Sequence, residues 1–471
     1  LSTSRHSPTS PSRVAVVGGG IAGCAAAWAL DRAGVEVELF EARPTLGGNA
    51  KTHTWTVGDE RVTTGLSVLA WPQGLFRNYA RLLETLGVAS ETVELRFFIR
   101  SGADTYVAGE GSLARRHAAD LLRWRRLGRL VARFNHVFAG FPRAPSLYRI
   151  APFNPMNYVS LWALARLFGI SREFWDELVV PLYSATFLTT RLDRVPALLL
   201  PTIDAIVPID RPARLQTWSA DSSVVFEALT AGFTGRVRRS CAIARISTAD
   251  GQVTLDDEHG RSHCFDAAVL ACPAPVIDAA LVERRRLHDI LLRGIDYCDD
   301  DDPTFVRGRV HGDASVIPAA DRERILAECC NYIAVLRDGH GRPRYENHFV
   351  LSSWIPTARG REATMLVSYD GRPASAGERV IDNRRAHPST SSANLVRALL
   401  YRYLQGRDGL YYCGSYATPG NGHDLSLLSG LVVAEQLGAP YPFAGDREAW
   451  GDFCRLRRMM LGRVRRRGRA E

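Results

Sequence analysis

The run Gly18-Gly-Gly20-Ile21-Ala22-Gly23 constrains this chain more than any other segment, because of what stands on either side of it. Before it, Arg13-Val-Ala-Val-Val-Gly18 is short, apolar and β-branched, the pattern of a parallel strand buried on both faces. After it, Cys24 to Ala33 is an alanine-rich helix with Gly34 as its stop, and Val35 to Phe40 reads as a second parallel strand. The result is a βαβ unit that opens on three spaced glycines. Gly18 permits the tight turn, Gly20 leaves room for a pyrophosphate against the backbone, and Gly23 lets helix and strand pack closely. The helix N-terminus, with Ile21 and Ala22, turns free N–H groups and a positive dipole end toward the anion. Glu41, at the end of the second strand, stands where it accepts hydrogen bonds from ribose hydroxyls. These residues imply a dinucleotide site and leave its redox identity open.

A length of 471 residues exceeds one simple core, and two interleaved lobes are expected. No apolar run is long enough to span a bilayer. The nine cysteines lack metal-ligand spacing, so reduced thiols in a cytoplasmic setting are the expectation. Of the 59 basic residues, 58 are arginine and one is lysine, Lys51. The charge is concentrated. Ser112 to Ile150 carries +8 and Trp450 to Glu471 carries +6, which leaves −5 for the rest of a chain whose total is +9.

Ser112 to about Leu200 reads as mostly helical. In it, Trp124, Leu127, Leu130, Val131 and Phe134 share one face, while Arg123, Arg126, Arg129 and Arg133 take the other. Ser171 is placed as the N-cap of a later helix that carries Glu173 and Glu177 in its early turns. Strands return over Val237–Thr248, Gln252–Asp256 and Cys264–Cys272, then over Phe305–His311, Glu328–Leu336 and Ala363–Tyr369. Gly409 to Cys413 is a closing strand, followed by a glycine-rich loop and a helix from about Leu425 to Leu437. The predicted fold is α/β. A doubly wound, Rossmann-type lobe is expected over 13–111, 213–275 and 405–440, and a mixed-sheet and helical substrate lobe over 112–212 and 276–404. Residues 1–12 form a disordered lead-in and 441–471 a basic tail.

Glu41-Ala42-Arg43-Pro-Thr-Leu-Gly47-Gly48-Asn49 runs from the acidic position straight into a second glycine pair. It resembles the extended FAD signature of the flavin amine oxidase and phytoene desaturase superfamily. The resemblance implies that Arg43 helps hold the dinucleotide and that the glycine pair approaches the pyrophosphate. Val62-Thr-Thr-Gly65-Leu66 is similar to a segment beside the flavin, with Thr63 where the family more often has Asp. The stretch from Val237 to Pro273 resembles the part that closes over the adenine. Gly414-Ser415-Tyr416 through His423-Asp424 to Gly430 resembles a second flavin-contacting motif, with Asp424 placed to cap the helix toward the flavin. Further pieces around His53, His311–Pro318 and Asn331-Tyr332 look like a bacterial branch of amine-oxidase-like oxidoreductases.

The resemblance implies bound FAD and hydride transfer from a donor C–H held against the flavin with water excluded. His311 is the preferred acid–base candidate and Tyr332 a pocket wall, with His53, Asp313 and Tyr416 as further polar or aromatic candidates. Three classes remain open at this point. The first is a dehydrogenase, desaturase or double-bond isomerase acting on an apolar acyl chain, polyene or secondary metabolite. The second is an oxygen-using amine or amino-acid oxidase, and the third a non-catalytic flavin-binding protein. Many amine oxidases of the superfamily resemble one another in a lysine near the flavin, and Lys51 stands by the pyrophosphate glycines instead. The two arginine-rich segments suit an acyl carrier protein or an anionic membrane surface, with Trp124, Leu127 and Leu130 dipping into headgroups. No nucleic-acid recognition module accompanies the charge, so no nucleic acid is expected.

Overall fold

Five parallel strands drawn from distant stretches of chain make the sheet that positions the site. In a computed structural model, which describes residues 11–57, 59–139, 154–218, 221–355, 365–420 and 422–462, they lie in the order β19-β13-β1-β2-β9. Their ranges are β1 Arg13–Val17, β2 Glu36–Phe40, β9 Arg236–Arg238, β13 Ala267–Leu270 and β19 Leu410–Tyr412. The residues of β13 are all buried, as are Val14 to Val17 of β1. A strand covered on both faces needs this unbroken apolar run. The helix Ile21–Arg32 makes the crossover from β1 to β2 and packs along the helix His423–Gln436. That contact needs Gly430, where a Cβ would stand 2.1 Å from the carbonyl oxygen of Ala22.

The second lobe is built on a seven-stranded mixed sheet in the order β18-β14-β17-β16-β15-β6-β7. These strands are β6 Phe97–Ser101, β7 Asp104–Val107, β14 Arg307–His311, β15 Asn331–Arg337, β16 Pro343–Val350, β17 Leu366–Tyr369 and β18 Val380–Asp382. Only β15 and β6 pair in parallel. Ile99, Ile333, Val335, Val367 and Tyr369 turn one face toward the helices of residues 112–206. Phe98, Tyr332, Val350 and Leu366 turn the other face onto the helix Ala319–Glu328 through Ile325. Three ribbons complete the strands. They are β3 Thr52–Val57 with β4 Glu60–Gly65, β5 Ser90–Leu95 with β8 Ala213–Trp218, and the antiparallel set β10 Ile243–Ala249, β11 Gln252–Asp257 and β12 Ser262–Phe265.

The predicted α/β architecture holds, and several details differ. The second lobe takes in residues before 111, because β6 and β7 hydrogen-bond into the seven-stranded sheet. Val237–Thr248 is two strands, not one, and β16 and β18 lie outside the segments read as strands. The arginine-rich segment forms Ser112–Arg116 and the long helix Ala118–Ala139. Its apolar face is turned inward: Trp124 is 1% exposed and Leu127 0%. These two side chains are core, so they cannot dip into a membrane. Ser171 caps as expected, its Oγ accepting the N–H of Phe174 at 3.1 Å.

The expected basic tail is also largely structural. Arg447–Leu461 is a helix that buries Ala449, Phe453, Leu456 and Met460 against the nucleotide lobe, while residues 463–471 lie outside the described residues. At the other end, Ser12 is tied to Asp266 by both its N–H and its hydroxyl, and residues 1–10 lie outside the described residues. No helix among the described residues is long and apolar enough to cross a membrane.

A Cβ at position 23 would stand 1.9 Å from the Gly18 carbonyl oxygen, whereas at Gly128, inside the long helix, it would meet nothing within 4 Å. Gly23→Ala is therefore expected to lower unfolding stability by about 2–3 kcal/mol. Gly128→Ala is expected to raise it by up to about 1 kcal/mol. Urea unfolding of the two variants beside the parent chain checks both signs.

Candidate functional site

Between the two lobes lies a cleft of about 550 Å³. Its nucleotide wall starts where β1 ends. Gly18 adopts φ +110°, and a Cβ there would meet Ala271 at 2.8 Å, so the turn is open to glycine alone. Glu41 is buried, and its two carboxylate oxygens accept the N–H groups of Gly19 at 2.7 Å and Arg43 at 2.9 Å. The carboxylate thereby ties the glycine turn to the loop after β2. That loop returns across the cleft floor. The Gly47 N–H donates to Gly19 O, Arg43 Nη1 donates to Gly48 O at 3.0 Å, and a Cβ on Gly48 would stand 2.8 Å from Gly20 Cα. A Cβ on Gly20 would find nothing closer than 3.7 Å. Gly20 is thus free on the cleft side, as a backbone that receives a phosphate must be.

Of the sequence-predicted cofactor residues, the cleft wall brings together Gly18, Gly20, Ile21, Ala22, Glu41, Ala42, Arg43, Gly47, Gly48 and Asn49, with Gly414, Ser415 and His423 from the C-terminal element. Two helix N-termini, at Ile21 and His423, open onto it. His423 Nε2 is buried without a hydrogen-bond partner among the described residues, and burial lowers the ring's pKa to about 4. Tyr416 lines the wall with its hydroxyl donated to Leu270 O.

Other predicted residues stand behind the wall. Gly23 packs on Gly18, and Gly65 and Leu66 precede the lining run Ser67–Ala70. Val237 pairs with Leu39 inside the sheet, and the chain reaches the cleft only at Cys241–Ile243. Asp424 does not serve its own helix. Its Oδ1 accepts the N–H of Tyr79 at 2.5 Å, which caps the helix Arg77–Leu86.

The second lobe supplies a wall of different chemistry. Leu182, Leu188, Leu199, Ile203, Ile206 and Leu215 face the cleft with Phe97, Phe349 and Trp354. The helical turns between Val180 and Ile206 provide most of these side chains. Glu41 is the one carboxylate in the described wall, Thr186, Thr202 and Thr390 add hydroxyls, and His387 adds an imidazole.

Residues 16–86 match the model of an NAD(P)-binding Rossmann-like domain. Over 85 residues the chain is 42% identical to zeta-carotene desaturase of Synechocystis sp., a match that covers 18% of this chain and 16% of that relative. Among solved structures, the CLA-producing fatty acid isomerase of P. acnes superposes with a TM-score of 0.63 at 18% identity, covering 91% of this chain and 99% of that one. Cyclohexylamine oxidase of Brevibacterium oxydans superposes with a TM-score of 0.63 at 14% identity over the same shares. The chain shares its overall fold with these two enzymes.

Within this fold the two catalytic candidates, His311 and Tyr332, lie on the face of the second sheet turned away from the cleft. Alternation along β16 sends Phe349 to the cleft and His348 away from it, and register carries the same choice across the sheet. Tyr332 lies opposite His348 and stacks on it, with ring centroids 5.3 Å apart. His311 lies opposite Leu366, on the face that packs against the helix Ala319–Glu328. The Ser368 hydroxyl joins the two imidazoles, 2.7 Å from His311 Nε2 and 2.5 Å from His348 Nδ1. Asp313 is exposed and accepts the Ser315 N–H. His53 stands in the β3–β4 ribbon, edge-on to Trp55. The sequence signal that separates the faces is period-2 alternation: β15 is apolar on both faces and blurs it, whereas β14, Arg307-Gly-Arg-Val-His311, alternates but does not by itself say which face meets the cleft.

His311→Ala is therefore expected to leave cofactor content and visible spectrum unchanged, and to cost about 1 kcal/mol for the lost hydrogen bond. Equilibrium unfolding and the absorbance of the purified protein measure the two effects. The buried imidazoles also set a pH dependence. Burial, then the neighbouring His311, lowers His348 from an ordinary 6.5 to about 4, and burial does the same to His423. Below pH 6.5 the unfolded chain takes up protons that these folded rings refuse. Stability should accordingly fall as pH drops from about 6.5 toward about 4, and His348→Asn should flatten the slope measured by urea unfolding across that window.

Proposed function

We propose that the chain is an FAD-dependent oxidoreductase that removes hydride from an apolar substrate such as an acyl chain, a polyene or a secondary metabolite. It either releases a desaturated product or returns the hydride elsewhere to move a double bond. The observation that carries this is the continuity of one cleft between a glycine-built dinucleotide wall and the aliphatic wall of Leu182, Leu199, Ile203, Ile206 and Leu215. The nucleotide residues fit the group. Gly20 leaves open space where a Cβ would stand, Gly48 closes on it from the opposite loop, and two helix N-termini present N–H groups.

FAD, when bound, supplies the hydride acceptor. The chain's own residues do the rest. Glu41 is held rigid by Gly19 and Arg43, which leaves its remaining lone pairs for ribose hydroxyls. Arg43, Ala42 and Asn49 line the cleft after β2, and Ser415 and His423 line it from the C-terminal element. With its pKa near 4, His423 stays neutral at pH 7 and offers a hydrogen bond without a charge. The aliphatic side chains exclude water and orient an apolar C–H donor. A carotene desaturase and a fatty acid isomerase among the similar proteins support this substrate class. The likeness to cyclohexylamine oxidase keeps amine oxidation as the second reading. Against it, Lys51 donates to the Arg384 carbonyl, and Glu41, the one carboxylate in the described wall, belongs to the glycine turn and not to the aliphatic wall.

Purified protein should carry FAD, released on denaturation and identified by chromatography. Anaerobic mixing with long-chain unsaturated fatty acids or carotenes should bleach it, and primary amines should not. Peroxide formed with amines would overturn the first reading in favour of the second. Ile203→Arg places a cation in the aliphatic wall and should slow bleaching by substrate about 100-fold while FAD content persists.

The exposed arginine face of the long helix, Arg126, Arg129 and Arg133 with Leu122 and Phe138 beside it, fits an anionic partner that presents such a substrate. An acyl carrier protein and an anionic membrane share that chemistry. Co-sedimentation with phosphatidylglycerol vesicles at low salt, lost at high salt, supports the membrane. Binding to an acyl carrier protein alone supports the protein partner.

A further inference from the structure

Arg385 is 3% exposed and stands in a segment without helix or strand periodicity, just after β18. The backbone around it is held from one point. The Asp299 Oδ2 accepts the N–H of Arg385 at 2.5 Å and that of Ala386 at 3.0 Å. Ala386 is fixed at φ +46°, a left-handed conformation that a residue with a Cβ rarely adopts. This clamp turns the Arg385 side chain inward. Its Nε donates to Ser67 Oγ at 3.0 Å, and Ser67 donates in turn to Asn383 Oδ1 at 2.9 Å. Asn383 also donates to the Tyr369 hydroxyl of the second sheet. The guanidinium therefore bridges Ser67 of the nucleotide lobe and the cleft-side face of the substrate lobe.

Two features set this arginine apart. Its Nη1 is buried and has no hydrogen-bond partner among the described residues. No carboxylate among the described residues makes an ion pair with it, and the Asp299 carboxylate accepts the backbone N–H groups of Arg385 and Ala386 instead of the guanidinium. Burial lowers its pKa, and nearby Tyr369 and Asp299 offset this only in part. Lys51, close enough to feel the same charge, is also lowered by burial and by Arg43 and Arg385. A buried cation that is hydrogen-bonded but paired with no carboxylate is costly, so such a group persists where something else completes it. The wall in front of it is made by Ser67, Ala386 and His387. The pyrophosphate floor has its own cation, Arg43. The seam between the lobes is where the reacting end of a dinucleotide must meet a substrate held by the second lobe.

We propose that Arg385 is an electrostatic positioning residue for the flavin ring: its buried guanidinium, clamped by Asp299 and Ser67 behind the seam of the cleft, stabilises the negative charge the ring acquires on reduction. This rests on flavin occupying the cleft. A fixed cation near the ring favours the reduced state over the oxidised one and so raises the two-electron midpoint potential.

The test uses the flavin-loaded full chain and measures that potential by equilibration with reference dyes. Arg385→Gln keeps a donor for Ser67 and removes the charge, and Arg385→Lys keeps the charge. The Gln variant should lie at least about 30 mV below the parent, the two-electron equivalent of a tenfold loss in reduced-state stabilisation. The Lys variant should lie closer to the parent than to the Gln variant. Equal potentials for parent and Gln variant overturn the inference, and so do equal potentials for the Lys and Gln variants. A parent chain that purifies and reconstitutes without flavin removes the cofactor itself, a distinct failure recognised before any variant is made.

Discussion

The closeness of backbone to backbone at Gly18 governs the whole nucleotide lobe. Four chain segments converge there with no side chain between them. Gly18 leans on Ala271 of the β13 exit, Gly23 on the Gly18 carbonyl, Gly48 on Gly20, and Gly430 on the Ala22 carbonyl. Each contact would be blocked by a single Cβ. The segments come from residues spread over more than 400 positions, so the cleft is a tertiary object held by absences of side chains. Glu41 then converts this proximity into rigidity, since both of its oxygens hold loop amides. A binding floor made of fixed N–H groups needs little reorganisation when an anion arrives.

How much of this was legible in the sequence follows from the range of each interaction. The βαβ unit, its three glycines and Glu41 are local, and strand and helix periods announce them within thirty residues. Assembly of the five-stranded sheet from distant segments was also legible, because β13 and β19 are short apolar runs bounded by Pro273 and Gly414. The face of a strand is a different matter. His311 and Tyr332 sit in strands whose pairing partners are β17 and β16, and β16 was not read as a strand at all. Without the partner, alternation has no reference, and a one-residue difference moves a side chain from the cleft to the opposite face. Asp424 failed for a related reason: its position at a helix start is local, but the amide it caps belongs to Tyr79, far away in sequence.

The helical segment shows the same limit in its energetics. A face of Trp124, Leu127 and Val131 opposite arginines is what a membrane-surface helix and a core helix both present. What decides is the presence of a second apolar layer, here Phe174, Trp175 and Tyr183, which closes over Trp124. The arginines keep their outward direction, and several are held by local carboxylates, Arg123 by Asp120 and Arg125 by Asp210. Charge density on a helix face thus survives the burial of its apolar side, but its reach into a bilayer does not.

The electrostatics of the cleft follow from where its cations stand. Arg43, Lys51 and Arg385 stand along or just behind one side of it, and two helix N-termini open onto it, against a single lining carboxylate whose oxygens are already engaged. The remainder of the chain outside the two basic segments is mildly acidic, so this local excess of positive charge is not a consequence of the overall composition. A guanidinium remains charged under burial that would deprotonate an ammonium group, which makes arginine the residue able to hold a permanent charge behind an apolar wall. The aliphatic side chains of the second lobe lower the local dielectric, and each fixed charge acts more strongly for it. The aliphatic wall of the second lobe therefore strengthens the effect of the cations that stand along and behind the cleft.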